Sequence, residues 1–463
     1  MKQKLIIALM LSVILIMVPI TPVAAATYMP PELLEEIKGF ISERYVDEIT
    51  VEELTGITPE EIFAHLDPHS MYYSADVFEK YLERIFGEYA GIGAYVEERE
   101  GKIYITQPIE GSPSFKAGLK AGDEIIHVND VKVKGMTLDE AVTLIRGPEG
   151  TKVTIGVMRE GASETIRYTM TREHITLKTV SYEIMDDIGY LKITEFNEST
   201  YDETLEALAV FKSKKIDRLI IDVRDNPGGM LDSVVDIARL LVESGPILHV
   251  EYRDYAMMYQ SFATNFTYKE VVVLANEGSA SASEILAAAI QDSGAGVVIG
   301  QTTYGKGSVQ RIYFLDEYGG FKLTEARYLS PNKTVIDGVG VEPNYEVARF
   351  PAHVDIGNIV TRRATKDIYQ GIRGPEVLGI QQRLQGLGYS ISDSRGVFKQ
   401  GTMEALMAFA KDNGLEEPTH LTVALQEKIY EVFVETLYSQ ENDQQLSFAL
   451  DYLRGKVDLA EAK

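Results

Sequence analysis

Apolar positions along this chain follow three textures in turn, and each predicts a different architecture. Between residues 31 and 88, Leu33, Leu34, Ile37, Ile41 and Tyr45 recur at spacings of three and four, which puts them on one face of a helix. From 91 to 161 the pattern changes to short β-rich runs punctuated by glycine turns, with a single amphipathic helix over 137–145. Residues from about 186 to 345 then alternate: "IGYLKIT", "DRLIIDVR", "EVVVLAN" and "GVVIGQ" read as strands, while "TLEALAVFKS", "LDSVVDIARLLV" and "SEILAAAI" read as helices. Apolar strands alternating with amphipathic helices indicate an α/β layer structure. After 351 comes a polar connector, then two helical patterns around a glycine-containing loop, and a strongly polar helical end from about 430.

In layered sheets of this kind, ligands bind where strand ends meet helix starts. There stands "VVVLANEGSASASEILAAAI", with three serines spaced by alanines. One reading of Ser281 is structural, because "SASE" over 281–284 fits a capping box in which serine and glutamate satisfy the first helical N–H groups. The other is chemical: small residues in alternation let a foreign backbone come very close. Downstream, "TTYGKGSVQRIYF" sets Lys306 between Gly305 and Gly307 ahead of a β-like run over 308–314. A lysine buried there by close backbone approach would lose part of its basicity, since desolvation disfavours the ammonium, and its neutral amine could take a proton from a serine hydroxyl. Residues an even number apart share a strand face, so Gln310 is expected beside Lys306, holding the amine without adding charge. The plain alternative is a surface lysine followed by a strand glutamine. "DVRDNPGG" over 222–229 ends an apolar strand in a turn whose glycines can aim N–H groups into a cavity, as an oxyanion hole requires; it also fits a simple tight turn.

Composition narrows the chemistry further. At 463 residues the chain has room for two to four domains, and 45% hydrophobic with 25% charged residues is a globular balance. A formal net charge of −25 argues against a protein whose work is gripping phosphate backbones, so nucleic acid is not an expected partner. With no cysteine, disulfides, thiol nucleophiles and thiolate metal sites are excluded. His65 and His69 lack the intervening glutamate of a metalloprotease helix, and no metal or organic cofactor is implied. The first residues read as an export signal: Lys2 and Lys4, an apolar run over 5–18, Pro19, then "VAAA", with cleavage expected after Ala26. The run is shorter than the roughly 20 residues that span a bilayer, which makes a retained anchor the alternative. The mature chain is expected to work outside the cytoplasm.

The motif set "LDPHSMYYS", "DVRDNPGG", "GSASASEI", "YGKGSVQ" and "DGVGVEP" resembles the carboxyl-terminal processing peptidases, tail-specific serine proteases with a Ser–Lys dyad, over nearly the whole mature chain. On that resemblance Ser281 takes the place of the nucleophile, Lys306 of the general base and Gln310 of the lysine-orienting residue. Gly228 or Gly229, with Ala282, would supply the oxyanion-hole amides. Asn344 departs from the family's usual aspartate after the closing proline. The β-rich region is similar to a PDZ domain, in which Gly91, Ile92, Gly93 and Ala94 stand at the carboxylate-binding loop and Arg146 is a candidate for coupling tail binding to the active site. Residues from about 371 to 415 resemble a peptidoglycan-binding helical domain, through Gln381, Leu384, Gly396, Phe398 and Thr402 among others.

The resemblance implies a multidomain α/β protein with a crotonase-like serine protease core. The expected boundaries are a signal peptide at 1–26, an N-terminal helical segment at 27–88, a PDZ domain at 89–172 and the protease core at 173–350. A connector at 351–370, a peptidoglycan-binding-like domain at 371–429 and a C-terminal helical segment at 430–463 follow. The expected partners are protein or peptide substrates with a free, mostly apolar C-terminus, peptidoglycan, and a second copy of the chain in a homodimer. Two rival functions are a non-catalytic PDZ and wall-binding scaffold, and an acyl-transfer enzyme acting on small thioesters.

Overall fold

The computed structural model describes residues 29–86, 88–99, 101–262, 268–351, 354, 356–361 and 365–457, so the expected signal peptide lies outside the described residues. The centre is a six-stranded sheet in the order Val180–Met185, Ile188–Ile193, Arg218–Asp222, Glu270–Ala275, Gly296–Gly300, Tyr345–Glu346. Its first pair is antiparallel and every other pair parallel. The period of two explains why its central strands are apolar throughout. Leu219, Ile221, Val271 and Val273 face the helices Thr200–Ser213, Leu231–Leu241 and Ala282–Asp292, whereas Ile220, Val272 and Leu274 face the helix Gln444–Leu453.

A second, antiparallel sheet stands beside this one. It contains Met71–Tyr73, Gly320–Leu329, Gly245–Tyr252 and Ala256–Ser261, and Ser308–Phe314 also pairs with Gly320–Leu329. The N-terminal helix Pro31–Arg44 is no separate body, because Leu34, Ile37 and Ile41 share a core with Phe321 and Leu323 of that sheet.

The β-rich domain has its own sheet and its own core, centred on Ile105, Val128, Ile155 and Val157. The strand Ala94–Arg99 lies at the edge of that sheet. Chain enters and leaves this domain through a two-stranded ribbon, Glu88–Gly91 against Glu173–Thr176.

The C-terminal region departs from the boundaries expected from sequence. The helices Pro375–Gly386, Gln400–Asp412 and Val423–Leu437 share one core, in which Leu425 and Ile429 pack with Leu384 and Phe409. The division at 429 therefore falls inside a helix. The polar surface of that helix hid an apolar stripe that belongs to the domain before it. The last helix, Gln444–Leu453, returns to the protease sheet, so the three-helix domain is an insertion.

That return is anchored by a buried charge cluster. The Arg224 guanidinium pairs with Asp222 (2.5 and 2.9 Å) and reaches Asp443 (2.7 Å) and Gln445 (3.1 Å) at the start of the last helix. Burial alone would push the Asp222 carboxyl up, but Arg224 and the Tyr190 hydroxyl hold it below its ordinary value. Arg224→Met leaves Asp222, 1% exposed, buried without its counter-charge. The expected loss is about 3–5 kcal/mol of core stability, to be read from urea unfolding of the two proteins.

Candidate active site

The three serines of the central motif divide between two roles. Ser279 Oγ donates to the Val223 carbonyl (2.8 Å) and Ser283 Oγ to the Asn226 carbonyl (2.9 Å), so both fasten this turn to the neighbouring 223–226 segment. Ser281 stands between them with φ +54° and ψ −112°, a conformation costly for a residue with a Cβ. Such strain, of order 1–3 kcal/mol, persists only where the surroundings hold it. The expected capping-box arrangement is present, with Glu284 Oε2 accepting the Ser281 N–H at 2.8 Å, but the hydroxyl's side of it falls short of a full hydrogen bond. The serine begins the helix without tying up its oxygen.

Glu284 is wholly buried and does more than cap. Its Oε1 accepts from Thr303 Oγ1 (2.6 Å) and the Gly305 N–H (2.7 Å), and its Oε2 accepts from the N–H groups of Ser281 (2.8 Å) and Lys306 (2.9 Å). One carboxylate thus joins the serine turn to the lysine loop. Burial pushes this carboxyl up from its ordinary value, and the four donors offset part of that.

The glycines around Lys306 permit the close approach the sequence suggested. A Cβ at Gly307 would collide with the backbone of Asp337, and Gly305, at φ +90°, lies against the 338–340 backbone. The Gly307 N–H donates to Asp337 Oδ1 (3.0 Å) and the Gly338 N–H to the Gly305 carbonyl (2.8 Å). The "DGVGVEP" segment is therefore a wall over the lysine loop. Burial lowers the Lys306 pKa, the nearby Lys322 ammonium lowers it further, and Glu284 and Asp67 oppose the shift.

Gln310 does not meet its expected partner. Its Nε2 donates to Ser308 Oγ (2.8 Å) and Thr324 Oγ1 (3.2 Å), and no hydrogen bond joins it to Lys306 among the described residues. The strand begins only at Ser308 and its register slips between Val309 and Gln310, so the period of two does not run from 306 to 310. Thr324 is itself held by Asp67 Oδ1 (3.1 Å) and Ser70 Oγ (3.0 Å), which makes "LDPHS" the outer support of this wall.

The two candidate glycines are not equivalent. The Gly228 N–H is spent on Asn226 Oδ1 (2.9 Å), while the Gly229 and Ala282 N–H groups have no acceptor among the described residues. Gly228 lies flat against the serine, since a Cβ there would sit 2.8 Å from both Ser281 Cβ and the Ala280 carbonyl oxygen.

In the β-rich domain, Gly91, Ile92, Gly93 and Ala94 meet Arg146 around one cavity of about 280 Å³. Val142 and Ile145 of the domain's helix line it, as do Ile175 of the ribbon and Leu177 just after it. The Ile92 carbonyl accepts the Ser114 N–H (2.8 Å), and the Gly93 carbonyl accepts from the Ile109 N–H (2.9 Å) and the hydroxyls of Ser112 (2.8 Å) and Ser114 (2.5 Å).

Comparison with known proteins matches residues 187–347 to peptidase family S41, 104–159 to the PDZ domain and 373–419 to the peptidoglycan binding domain. The carboxy-terminal processing protease CtpA of Bacillus subtilis (strain 168) is 35% identical over 402 residues, covering 84% of this chain and 83% of that protein. The chain belongs to the carboxy-terminal processing protease family. CtpB of the same organism is 32% identical over 427 residues, covering 91% of this chain and 88% of its own. A solved photosystem II D1 C-terminal processing protease is 26% identical, with a TM-score of 0.44 over 69% of this chain and 93% of that one.

This protein is therefore a serine protease with a PDZ domain. Three groups at the protease's site were not assigned a role from sequence. Its spacing explains Glu284 as a helix cap alone, and residue type and spacing attach no chemistry to Lys322 or to Asp337. The signal for Glu284 was its invisibility: a capping box explains a glutamate at that spacing completely, so nothing asked for more.

Gly229→Ala would drive a Cβ into the Phe196 carbonyl oxygen at a φ of +145°. Turnover of an unfolded protein substrate is expected to fall by on the order of 100-fold or more as the turn moves off its position, with the thermal unfolding of the PDZ domain unchanged.

Proposed function

We propose that this protein is an exported serine endopeptidase that recognises free apolar C-termini through its PDZ domain and cleaves nearby peptide bonds with a Ser281–Lys306 dyad. The observation that carries this reading is the joint setting of the two residues: a strained serine with an uncommitted hydroxyl and a buried lysine of lowered pKa, held by one carboxylate. The neutral Lys306 amine removes the Ser281 Oγ proton as Oγ attacks the substrate carbonyl carbon. The resulting oxyanion accepts hydrogen bonds from the Gly229 and Ala282 N–H groups. Collapse of the tetrahedral intermediate breaks the C–N bond, and the ammonium of Lys306 returns the proton to the leaving amine. Water, deprotonated by the same amine, then hydrolyses the acyl-enzyme.

Tail recognition is assigned to the cavity at Gly91–Ala94. The pinned carbonyls of Ile92 and Gly93 support a loop whose N–H groups receive a terminal carboxylate, while the substrate adds to the edge strand Ala94–Arg99. The match of the inserted three-helix domain to the peptidoglycan binding domain supports peptidoglycan as its ligand and the cell envelope as the enzyme's location. The scaffold reading loses weight because a non-catalytic tail binder has no use for a strained serine and a desolvated lysine.

The direct test follows digestion of an unfolded protein with an apolar free C-terminus by mass spectrometry. Cleavage by the wild type is expected to vanish in Ser281→Ala and in Lys306→Ala, and to weaken when the substrate tail is amidated. Unchanged cleavage in both variants would remove the dyad. The pH dependence carries a sign as well. Lys306 acts as its neutral form, so activity rises with pH through its lowered pKa. Lys322→Gln removes a repelling charge, Lys306 becomes more basic, and the acid limb of kcat/KM is expected to move to higher pH.

A further inference from the structure

Lys306 is flanked on both sides by glycine, so its loop has no neighbouring Cβ to restrict φ and ψ. Its position relative to Ser281 must come from hydrogen bonds made by other elements. Glu284 supplies one set, through the N–H groups of Ser281 and Lys306. The carbonyls of the same two residues meet a second side chain. Tyr328, 1% exposed near the end of the strand Gly320–Leu329, donates its hydroxyl to the Lys306 carbonyl and lies 3.2 Å from the Ser281 carbonyl. The Ser281 carbonyl also accepts the N–H groups of Glu284 (2.9 Å) and Ile285 (3.0 Å), whereas the Lys306 carbonyl has Tyr328 as its partner among the described residues. Tyr328 is fixed in turn, its N–H donating to the Gly307 carbonyl at 2.8 Å. Burial raises the phenol well above its ordinary pKa, so the hydroxyl keeps its proton and remains a donor wherever the enzyme works.

We propose that the Tyr328 hydroxyl is a positioning residue of the protease, which sets the separation of Ser281 and Lys306 by bridging their carbonyls opposite Glu284. It touches neither the substrate nor the reacting atoms. Without it the lysine loop loses its carbonyl tie and relaxes outward, Lys306 becomes better hydrated, and its amine becomes more basic and less well placed. The inference rests on Ser281 and Lys306 being the dyad.

The test compares Tyr328→Phe with the wild type in the full mature chain, on a protein substrate with an apolar free C-terminus. A fluorophosphonate that labels Ser281 serves as a second probe, independent of the PDZ domain. The expected result is a kcat lower by about 10- to 100-fold with KM unchanged, an acid limb moved to higher pH, and labelling slowed by a similar factor. KM and the position of the acid limb report folded enzyme only, so partial unfolding cannot imitate them. Tyr190→Phe, which removes a part-buried hydroxyl hydrogen bond to Asp222 on the other face of the parallel sheet, calibrates the general cost and should leave the acid limb in place. A Tyr328→Phe enzyme with the wild-type kcat and acid limb would overturn the proposal. So would a loss of activity with the acid limb unmoved. Activity surviving in both Ser281→Ala and Lys306→Ala would instead remove the dyad on which it stands.

Discussion

Everything at this site depends on one buried carboxylate. Glu284 gathers four donors from two chain segments, the serine turn and the 303–306 loop, and an ionised group so far from water is tolerable only when its lone pairs are filled. That requirement works in both directions. The carboxylate needs the serine turn and the lysine loop to come to it, and once they have come neither can move without stranding it. A strained serine and a glycine-flanked lysine, each poorly determined by its own local sequence, are thereby determined together.

The surrounding architecture keeps that arrangement in place. The parallel sheet ends its strands at the serine turn and the 223–229 turn, and Ser279 and Ser283 lock the two turns to each other. On the far side of the lysine, the antiparallel sheet brings Ser308, Gln310 and Thr324 into a chain of hydrogen bonds that ends on Asp67 and Ser70 of the N-terminal segment. The last helix covers the other face of the parallel sheet through the cluster around Arg224, three residues into the motif that carries Gly228 and Gly229. Parts of the chain more than 200 residues apart thus meet around a few short loops.

The attached domains are joined to the core by short, hydrogen-bonded segments. The PDZ domain hangs on the ribbon Glu88–Gly91 and Glu173–Thr176, and its cavity takes Ile175 and Leu177 from that exit strand and the residues just after it. The three-helix domain is likewise held at both ends, with Arg349 paired to Asp225 before it and Asp443 to Arg224 after it.

Much of this was legible in the sequence, because it is written in local patterns. Period-two and period-3.6 apolar spacing marked the strands and helices of the core, and the glycines and small residues marked where backbones approach closely, as at Gly307 against Asp337. The motifs marked Ser281, Lys306, the Gly228–Gly229 pair and the 91–94 loop, each of which is a short-range arrangement of residue types. What the sequence left open were matters of partnership. Gly228 and Gly229 look alike until Asn226 takes the N–H of the first. Gln310 appeared to share a face with Lys306 until a register slip removed the strand geometry between them. The helix Val423–Leu437 looked like a tail until its apolar stripe met Leu384 and Phe409. Residue type and spacing determine which groups are available, but a hydrogen bond or a shared core joins residues far apart in the chain, and only the folded structure chooses between partners.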